Sequence, residues 1–557
     1  MKRKNTLAFI LSACVLAGAL GGCGDKSAES SSLPSSAPSS SQAAESSEPE
    51  APNVPDYMNA VGYPITKEKI TVTVLGQKDP GAPEWNDLLL FQKAEELTNI
   101  HFDFTLVEST SYPEKKNLAL ASGEYPDVFM RQLGVSDEET YGPLGTLLDL
   151  TDLISQYAPN LSARMAEEPE IQGSMIATDG KIYGLPYICR TATRNPSISF
   201  YDRNWLDNVG LEPPQTVDEL YTVLKAYKEQ DANGNGDPND EIPWSNAGGT
   251  SALNAFRTAI LPAFFGVFVD GNWLAVKDDG TVFFPPEEDT YKEFLTYMHK
   301  LYSEGLIDPE SFTQTSQQHQ AKCKNGIVGI LNATPTMMPA ELNGNYWSLP
   351  AMTSAFNDVK AMPPYTNIYT SRGAITDKCQ YPEAVMRWFD IWYAKDEEAV
   401  EGLCGNALFL GIQGEHWDYV DAEKTQYSFI EPVTAFQDVN ATISVNMYIP
   451  SYLNFMAYPT DFPLMEMKVK AVQTEQEPYQ KDGFSPYARA TKEENDQLAL
   501  VETDIQNYVS QMTSKFIVGE ASLDEFGSYV TTLQNMGLAD YLALKQSIQD
   551  RYMAGIQ

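Results

Sequence analysis

The chain has 557 residues and carries 76 Asp and Glu against 38 Lys and Arg, so its formal charge at pH 7 is −38. A chain of this length exceeds what one small core needs and suits two lobes of ordinary domain size. The acidity disfavours nucleic acid and anionic membrane as partners, because phosphate groups are bound by clustered Lys and Arg. It is typical of a protein that works outside the cytosol and stays soluble through self-repulsion.

The first residues form a targeting segment. Basic residues at positions 2–4 precede an apolar stretch over residues 6–20, and two glycines then lead to Cys23. This order is similar to that of a bacterial lipoprotein signal, in which the cysteine is lipidated and becomes the new N-terminus. We predict a signal peptide over residues 1–22 and lipidation of Cys23. A plain secretory signal is the alternative.

Residues 23–56 are nearly all Ser, Ala, Pro and Glu. Such low hydrophobicity and net negative charge leave too little apolar surface to order the segment. We therefore predict a flexible tether between the lipid and the folded part of the chain.

Strand and helix patterns alternate from about residue 69. The predicted elements are a strand over 70–76, a helix over 88–97, a strand over 102–106, a helix around 118–121 and a short strand over 125–130. This order predicts an α/β lobe with a largely parallel sheet. Ligands of such sheets bind beyond the carboxyl ends of the strands, where the loops that contain Trp85 and Arg131 fall.

After Tyr187 the chain is expected to cross to a second lobe. Thr216-Val-Asp-Glu219 is a capping box that opens a helix. The other expected elements are a strand over 197–201, a helix over 290–303, a strand over 326–331, a return crossover over 369–374 and a helix over 384–393. The C-terminal section is strongly helical, with capping boxes at Thr491 and Ser522.

Oxygen-bearing side chains are concentrated in an acidic loop over residues 231–241. In a loop of the EF-hand type, alternate residues point towards a hard cation and a glycine at the sixth position, here Gly236, permits a sharp turn. The twelfth position is Ile242 rather than Glu, so Asp240 or Glu241 would close the loop. A plain surface turn is the alternative. We predict a structural calcium ion with the ligands Asp231, Asn233, Asn235, Asp237 (through its backbone carbonyl), Asp240 and Glu241.

Several segments, taken in order, resemble one family. Besides the signal, the tether and the acidic loop, they are Gly180–Tyr187, Tyr201–Leu211, Thr216–Leu220, Gly414–Trp417 and Phe516–Tyr529. Together they resemble the extracellular solute-binding proteins of family 1, the lipoprotein receptors of bacterial ABC importers, and in particular the large Gram-positive type with a calcium loop. The resemblance covers nearly the whole chain.

The resemblance implies an α/β fold like that of type II periplasmic binding proteins, with two α/β lobes joined by a hinge and a helical C-terminal section. Lobe 1 would span residues 57–190 and about 370–440, and lobe 2 residues 191–369 and about 441–557. Solute would lie in the cleft between the lobes, and an ABC permease would recognise the closed form. The protein would be a monomer held on the extracellular face of the cell membrane by acyl chains on Cys23.

Eight Trp and thirty Tyr suit a sugar ligand, because sugar rings present C–H faces to aromatic rings while hydroxyls need polar partners. We predict a carbohydrate receptor, with an oligosaccharide as the expected solute. The chain-wide negative charge disfavours a polyanionic sugar, although the charge near the cleft decides this. A peptide or another solute, or service to a sensor kinase, is the alternative. The candidate ligand-binding residues are Glu84, Trp85, Arg131, Tyr187, Arg190, Trp244, Asn246, Trp347, Tyr369 and Arg372.

An enzyme is the remaining alternative. Glu415, His416 and Asp418 include acid and base types, but they lack a paired nucleophile or metal-ligand spacing. The sequence contains no nucleophile-elbow, zinc-protease or phosphate-loop motif. A secreted glycosidase is the enzyme alternative, because a chain with so many acidic residues offers many possible pairs of carboxylates. We expect a receptor without catalytic activity.

Overall fold

The computed structural model describes residues 54–191, 199–332, 345–364, 367–445, 448–460 and 463–556. The predicted signal peptide, Cys23 and most of the predicted tether lie outside the described residues. Among the described helices, none is both long and apolar enough to cross a membrane. The cysteines within these ranges are free thiols, at positions 189, 323, 379 and 404.

Strands and helices alternate along much of the described chain. The strands are β1 Ile70–Lys78, β2 Ile100–Glu108, β3 Val128–Met130, β4 Leu185–Thr191, β5 Ser199–Asp202, β6 Ile242–Ser245, β7 Ala275–Val276, β8 Val282–Phe283, β9 Val328–Asn332, β10 Tyr346–Ser348, β11 Ile368–Ile375, β12 Trp417–Tyr419, β13 Gln426–Phe429, β14 Ser451–Phe455 and β15 Tyr458–Pro459. The α-helices are α1 Leu89–Thr98, α2 Tyr112–Ser122, α3 Val135–Tyr141, α4 Thr151–Tyr157, α5 Pro159–Glu167, α6 Pro169–Met175, α7 Arg203–Val209, α8 Val217–Glu229, α9 Thr250–Ala259, α10 Pro262–Phe265, α11 Asp289–Ser303, α12 Ser316–Lys324, α13 Pro382–Ile391, α14 Ala407–Leu410, α15 Phe436–Thr442, α16 Pro463–Ala471, α17 Lys492–Leu498, α18 Glu502–Val518, α19 Phe526–Asn535 and α20 Leu538–Gly555.

A six-stranded sheet organises the first lobe, in the order β14-β4-β11-β3-β1-β2. β11 runs antiparallel to its neighbours and the other pairings are parallel. Val72 and Val74 are buried because strand alternation directs both to one face, in the same core as Leu90 and Phe91 of α1. α1 ends at Asn99, whose left-handed φ of 63° closes the helix and turns the chain into β2. The predicted α/β character of this lobe is confirmed.

A four-stranded sheet organises the second lobe, in the order β10-β5-β9-β6, with β5 antiparallel to both of its neighbours. α8 and α11 bury their apolar stripes in the core of this lobe, and α18 and α19 of the C-terminal section pack into the same core. The residues shared by this core include Leu220, Leu224, Phe294, Leu295, Ile505, Val509, Phe516 and Tyr529.

The boundary between the lobes differs from the prediction at one place. β14 pairs with β4 in the first sheet, and β15 pairs with β13. The second segment of lobe 1 therefore reaches residue 460 rather than about 440. The chain leaves the first sheet at Thr191 and enters the second at Ser199, and it returns to the first sheet at Ile368.

Two predicted helix starts behave differently. At Thr491 the capping box is complete, with reciprocal hydrogen bonds to Glu494 of 3.2 and 2.7 Å. At Thr216 the hydroxyl accepts from the Glu219 N–H at 3.2 Å, but the Glu219 carboxylate accepts from Gln215 N–H at 2.7 Å. The predicted box at this helix is therefore shifted by one residue on its carboxylate side, and the helix still begins where it was expected.

Candidate functional site

Five of the described residues form a tyrosine–arginine cluster at one edge of the first sheet: Tyr187, Tyr369, Tyr448, Arg131 and Arg372. The Tyr187 and Tyr369 rings stack with centroids 5.6 Å apart, and Tyr448 meets both at steep angles with centroids 5.7 and 6.2 Å away. The Arg131 guanidinium lies 5.3 Å from the Tyr448 ring, while that of Arg372 lies 5.5 Å from Tyr369 and 5.8 Å from Tyr448. Four of these five residues are predicted site residues, and the structure brings those four together.

The topology of the first sheet explains why the cluster forms. Tyr187 on β4 is paired with Tyr369 on β11, and Arg131 directly follows β3 on the other side of β11. The pairing of β11 with β4 becomes irregular between Tyr369 and Gly373, which sets Arg372 beside Arg131. The Arg131 N–H donates to the Arg372 carbonyl at 2.6 Å, and Arg372 Nη1 donates to the Arg131 carbonyl at 3.0 Å.

Backbone strain is concentrated at this cluster. Of the seven non-glycine residues with positive φ in the described ranges, three lie here: Arg131 at 83°, Ser371 at 60° and Tyr448 at 69°. Each such residue costs about 1 kcal/mol or more and persists only where its surroundings hold it. Strain of this kind gathers at ligand sites, where it sets side chains in directions that regular strands do not allow.

The cluster also lies where the chain crosses between the lobes. It occupies the edge that contains the carboxyl end of β4 and the amino end of β11, and these two strand ends are the exit from and the return to the first sheet. In α/β sheets, ligands bind beyond the carboxyl ends of parallel strands. The cluster therefore lies at the edge of lobe 1 where the chain leaves for lobe 2 and where it returns.

Three predicted ligand residues are buried away from this edge. Trp85 is 2% exposed and packs against Phe91 and Phe104 in the core of lobe 1. Trp244 is fully buried in lobe 2, where its indole N–H donates to the Asn246 amide oxygen at 3.2 Å. Trp85, Trp244 and Asn246 are each buried among residues of their own lobe. This burial argues against direct contact with a ligand.

Glu84, Arg190 and Trp347 are placed outside the cluster. Glu84 is largely exposed and forms an ion pair with Lys78, the last residue of β1. Arg190 binds Glu168 and lies on the opposite face of β4 from Tyr187, because residues three apart on a strand face opposite sides. The half-buried Trp347 ring lies in β10 of lobe 2, 5.2 Å from the Arg203 guanidinium.

The sequence reasoning missed Tyr448. It precedes β14, a strand that was not predicted although Pro450 and the apolar run Tyr452, Leu453 and Phe455 carry a signal for it. A predicted strand at this place would have put Tyr448 in a loop beside the sheet. Tyr448 would then have met the criterion that selected Tyr187 and Tyr369.

The acidic loop connects α8 to β6 and holds buried carboxylate oxygens. Asp231 Oδ1 and both carboxylate oxygens of Glu241 are buried and have no hydrogen-bond partner in the described part of the chain. By contrast, Asp240 accepts hydrogen bonds from the side-chain amides of Asn233 and Asn235 at 2.9 and 2.8 Å. Burial raises the pKa of Glu241, and the charges of Asp240 and Asp231 add to this shift.

These orphaned oxygens fit a hard cation. Carboxylates can only accept hydrogen bonds when ionised, so buried ones without donors are costly unless a cation neutralises them. No three His, Cys, Asp or Glu side chains in the described ranges converge on a common metal position. The fit therefore depends on amide and backbone oxygens as well, which is the donor set that calcium prefers. Glu241 has two oxygens available to close the loop, whereas those of Asp240 are engaged.

The residues considered for catalysis have structural contacts. His416 Nδ1 accepts from the Ile412 N–H at 3.0 Å, and burial lowers the pKa of the His416 imidazole. Glu415 forms an ion pair with Lys93, and Asp418 accepts from Gln413 at 3.0 Å. These three side chains stabilise a turn and its surroundings, and their hydrogen bonds give no convergent acid–base pair.

Comparison with known proteins defines the class. The family described as bacterial extracellular solute-binding protein matches residues 90–404, which is more than half of the chain. The chain therefore belongs to the bacterial extracellular solute-binding protein family, and the predicted resemblance is confirmed.

Two curated relatives indicate the ligands found in this family. The chain is 29% identical over 520 residues to the fructooligosaccharide ABC transporter substrate-binding protein FusA of Streptococcus pneumoniae, with 90% of this chain and 94% of FusA covered. It is 29% identical over 249 residues to the polygalacturonan/rhamnogalacturonan-binding protein YtcQ of Bacillus subtilis, with 43% and 45% covered.

Solved structures share the fold. FusA of S. pneumoniae in complex with kestose has a TM-score of 0.65 at 26% identity, and covers 87% of this chain and 100% of its own. A solute-binding protein from Bifidobacterium longum infantis, described as binding HMO, has a TM-score of 0.73 at 22% identity, with 87% and 99% covered. A further FusA structure is of an EF-hand mutant, with a TM-score of 0.62 at 25% identity and 87% of this chain covered. The predicted type II binding-protein fold is confirmed.

Proposed function

We propose that this chain is a lipid-anchored extracellular receptor that binds an oligosaccharide between its lobes and delivers it to an ABC permease. The observation that carries the proposal is the tyrosine–arginine cluster at the crossing edge of lobe 1. The names of the relatives support it, because FusA is a fructooligosaccharide-binding and YtcQ a polygalacturonan-binding protein. Catalysis is not part of this function.

The cluster supplies both kinds of contact that a sugar needs. The half-buried rings of Tyr369 and Tyr448 offer apolar faces for the C–H faces of a sugar ring, and the buried Tyr187 ring supports Tyr369 by stacking on it. The guanidinium groups of Arg131 and Arg372 donate hydrogen bonds to ring substituents. Trp347, on lobe 2, and Glu84 are candidates for further contacts once the lobes close. Contacts made to both lobes at once favour the closed form, and that form is what a permease would distinguish.

Calcium would be held in the acidic loop by Asp231, Asn233, Asn235, the backbone carbonyl of Asp237, and Glu241. The ion would supply positive charge to the buried carboxylates. The loop joins the end of α8 to the start of β6. Its ordering would fix the edge of the second sheet, and we assign it a structural role.

Cys23 would attach the chain to the membrane through its acyl chains, with residues 23–56 as the tether. A tether of this composition would allow the folded part to reach its permease without fixing its orientation. The receptor would act as a monomer on the extracellular face, and the permease subunits would be its protein partners.

Titration calorimetry on the full-length chain in detergent, with calcium present, tests the proposal. A panel of neutral and acidic oligosaccharides is compared with oligopeptides. We expect stoichiometric binding of an oligosaccharide that is recovered unchanged. At a concentration of 100 times its dissociation constant, this ligand should raise the free energy of unfolding by about 2.7 kcal/mol. Binding of peptides alone would overturn the assigned solute class. Hydrolysis of a bound sugar would overturn the receptor assignment.

A further inference from the structure

In the described part of the chain, the two guanidinium groups of the cluster have one carboxylate partner between them. Arg131 donates to Asp79 at 2.7 Å, and the Asp79 side chain is 60% exposed. Arg372 makes no ion pair within the described ranges. Its one hydrogen bond there goes from Nη1 to the Arg131 carbonyl, and its buried Nε has no acceptor. The cluster therefore has an excess of positive charge.

The buried arginines Arg164, Arg257 and Arg489 have partners, whereas Arg372 is half-buried. Arg164 pairs with Glu398, and the Arg489 guanidinium pairs with Glu138. Arg257 lacks a direct ion pair but donates from both terminal nitrogens to neutral oxygens. Acidic residues outnumber basic ones two to one in this chain, so a carboxylate partner is readily available to most arginines. Arg372 differs because its side chain has neither an ion pair nor a second hydrogen-bond acceptor among the described residues.

The environment of Arg372 favours an anion. Burial lowers the pKa of the Arg372 guanidinium, and the nearby Arg131 acts in the same direction. Arginine nevertheless stays charged at neutral pH, so an anion beside it removes an electrostatic cost. The guanidinium carbon lies 5.5 Å from the Tyr369 ring centroid and 5.8 Å from that of Tyr448, and Nη1 donates to the Arg131 carbonyl. Nε has no acceptor in the described part of the chain, so Nε and Nη2 are the N–H groups that a carboxylate would bind.

We propose that the bound oligosaccharide is acidic, with a ring carboxylate of the uronate type bound by Arg372 and Arg131. This inference rests on the proposed function and narrows its solute class. A uronate combines a C–H face for Tyr369 or Tyr448 with a carboxylate for the guanidinium edge. The charge of the whole chain does not oppose this, because salt screens interactions beyond about 10 Å and, among the described residues of the cluster, two guanidinium groups face the single carboxylate of Asp79.

The test compares each acid with its own neutral form. Uronate trisaccharides (galacturonate, glucuronate and mannuronate) and their methyl esters are titrated into the full-length chain in detergent, with calcium present. The ester preserves the ring and removes the charge. We expect one acid to bind at least tenfold more tightly than its ester, and its affinity to fall as sodium chloride is raised.

Substitutions of single arginines test whether the preference for the acid depends on Arg372. Arg372→Gln should weaken binding of the acid at least tenfold and binding of the ester much less, so that the preference for the acid is lost, whereas Arg372→Lys should retain part of the preference. Arg387→Gln is the matched control, because the Arg387 guanidinium donates to the Asn59 and Gly62 carbonyls, forms no ion pair in the described part of the chain, and its loss removes the same charge. If Arg372→Gln does not fold, the salt dependence of the unaltered chain decides.

The outcomes separate the two proposals. Equal binding of acid and ester, or salt-independent binding of the acid, overturns the uronate inference. Tight binding of neutral oligosaccharides with no binding of acids also overturns it, and leaves the carbohydrate receptor in place. Failure of every acidic and neutral oligosaccharide to bind overturns both.

Discussion

Tyr369 illustrates how single residues carry the proposed binding. It stacks on Tyr187, contacts Arg372, and is half-buried rather than enclosed. Tyr369→Ala should lower sugar affinity about fivefold, because an aromatic contact contributes about 1 kcal/mol. Titration calorimetry measures this. Tyr221→Ala is the control, since Tyr221 contacts Lys300 on the surface of lobe 2. An unchanged affinity in Tyr369→Ala would remove this ring from the site.

Asp308 allows a prediction about pH. It is 6% exposed and accepts from Ser245 and Lys322, both at 2.6 Å. Burial opposes its ionisation, but the hydrogen bonds from Lys322 and Ser245 prevail and its pKa lies below the usual value. A depressed pKa contributes stability above the unfolded-state value of about 3.9, and this contribution is lost as pH falls through the folded-state value.

Asp308→Asn should therefore lower the free energy of unfolding by about 2–3 kcal/mol at pH 7, and the difference should shrink below about pH 4. Urea unfolding across this pH range measures it. Glu310→Gln is the matched control, because Glu310 pairs with the same Lys322 but is 61% exposed, so its loss should cost under about 1 kcal/mol. A difference that stays constant with pH would contradict the assigned ion pair.

Among the elements, the acidic loop makes a testable claim about calcium. If calcium occupies it, chelation should lower the melting temperature, and Asp231→Ala should abolish the response to chelator. Differential scanning calorimetry with and without EDTA measures both. A site saturated at 100 times its dissociation constant adds about 2.7 kcal/mol, which is visible in such a scan.

Asp237→Ala is the control within the same loop. Among the described residues, its side chain accepts hydrogen bonds from Asn239 alone, and the proposed ligand at this position is the backbone carbonyl. This variant should keep the response to chelator. A chain whose melting temperature is unchanged both by EDTA and by Asp231→Ala has no structural calcium in this loop.

Local patterns predicted many elements and failed at particular ones. β1, α1 and β2 were predictable because each contains an apolar period that matches its structure. The capping box at Thr491 predicts where α17 begins, but nothing in the pattern predicts that α17 ends at Leu498 and that α18 begins at Glu502. Exposed Leu500 marks this break, and the apolar spacing on either side does not show it.

The site was only partly predictable for a different reason. Arg131, Tyr187, Tyr369 and Arg372 were identified as residues at predicted strand ends, and this criterion is local. Their assembly depends on β11 entering the sheet between β3 and β4, a pairing of segments far apart in sequence. Trp85 and Trp244 satisfied the same local criterion, yet they are buried because neighbouring aromatic rings enclose them. Periodicity does not encode such enclosure.

At the scale of the whole molecule, Arg489 connects the two lobes. Its guanidinium donates to Glu138 of α3 at 2.7 Å and to the Ser174 carbonyl of α6 at 3.0 Å. Its neighbours Ala488 and Ala490 pack against the core of lobe 2. Glu138 is fully buried, so Arg489 compensates a charge inside lobe 1 from a segment that belongs to lobe 2.

Arg489→Met should lower the free energy of unfolding by about 3–5 kcal/mol, because it leaves a buried carboxylate without a partner. The double variant Arg489→Met/Glu138→Leu should recover much of this loss, since no uncompensated charge is left. Guanidinium chloride unfolding measures both. If the double variant is as unstable as the single one, the loss arises from packing of the arginine rather than from its charge.

The order of strands in the first sheet has a consequence for export. β11 and β14 are sheet members, and their residues follow β4 by more than 170 and 250 positions. Pairings over such separations form slowly, because the chain must first close long loops. During passage through a secretion channel, the early strands would lack these partners until most of the chain has emerged. If the chain is exported as proposed, the interleaved sheet would delay its folding until translocation is nearly complete, and the chain would stay unfolded while it passes through the channel.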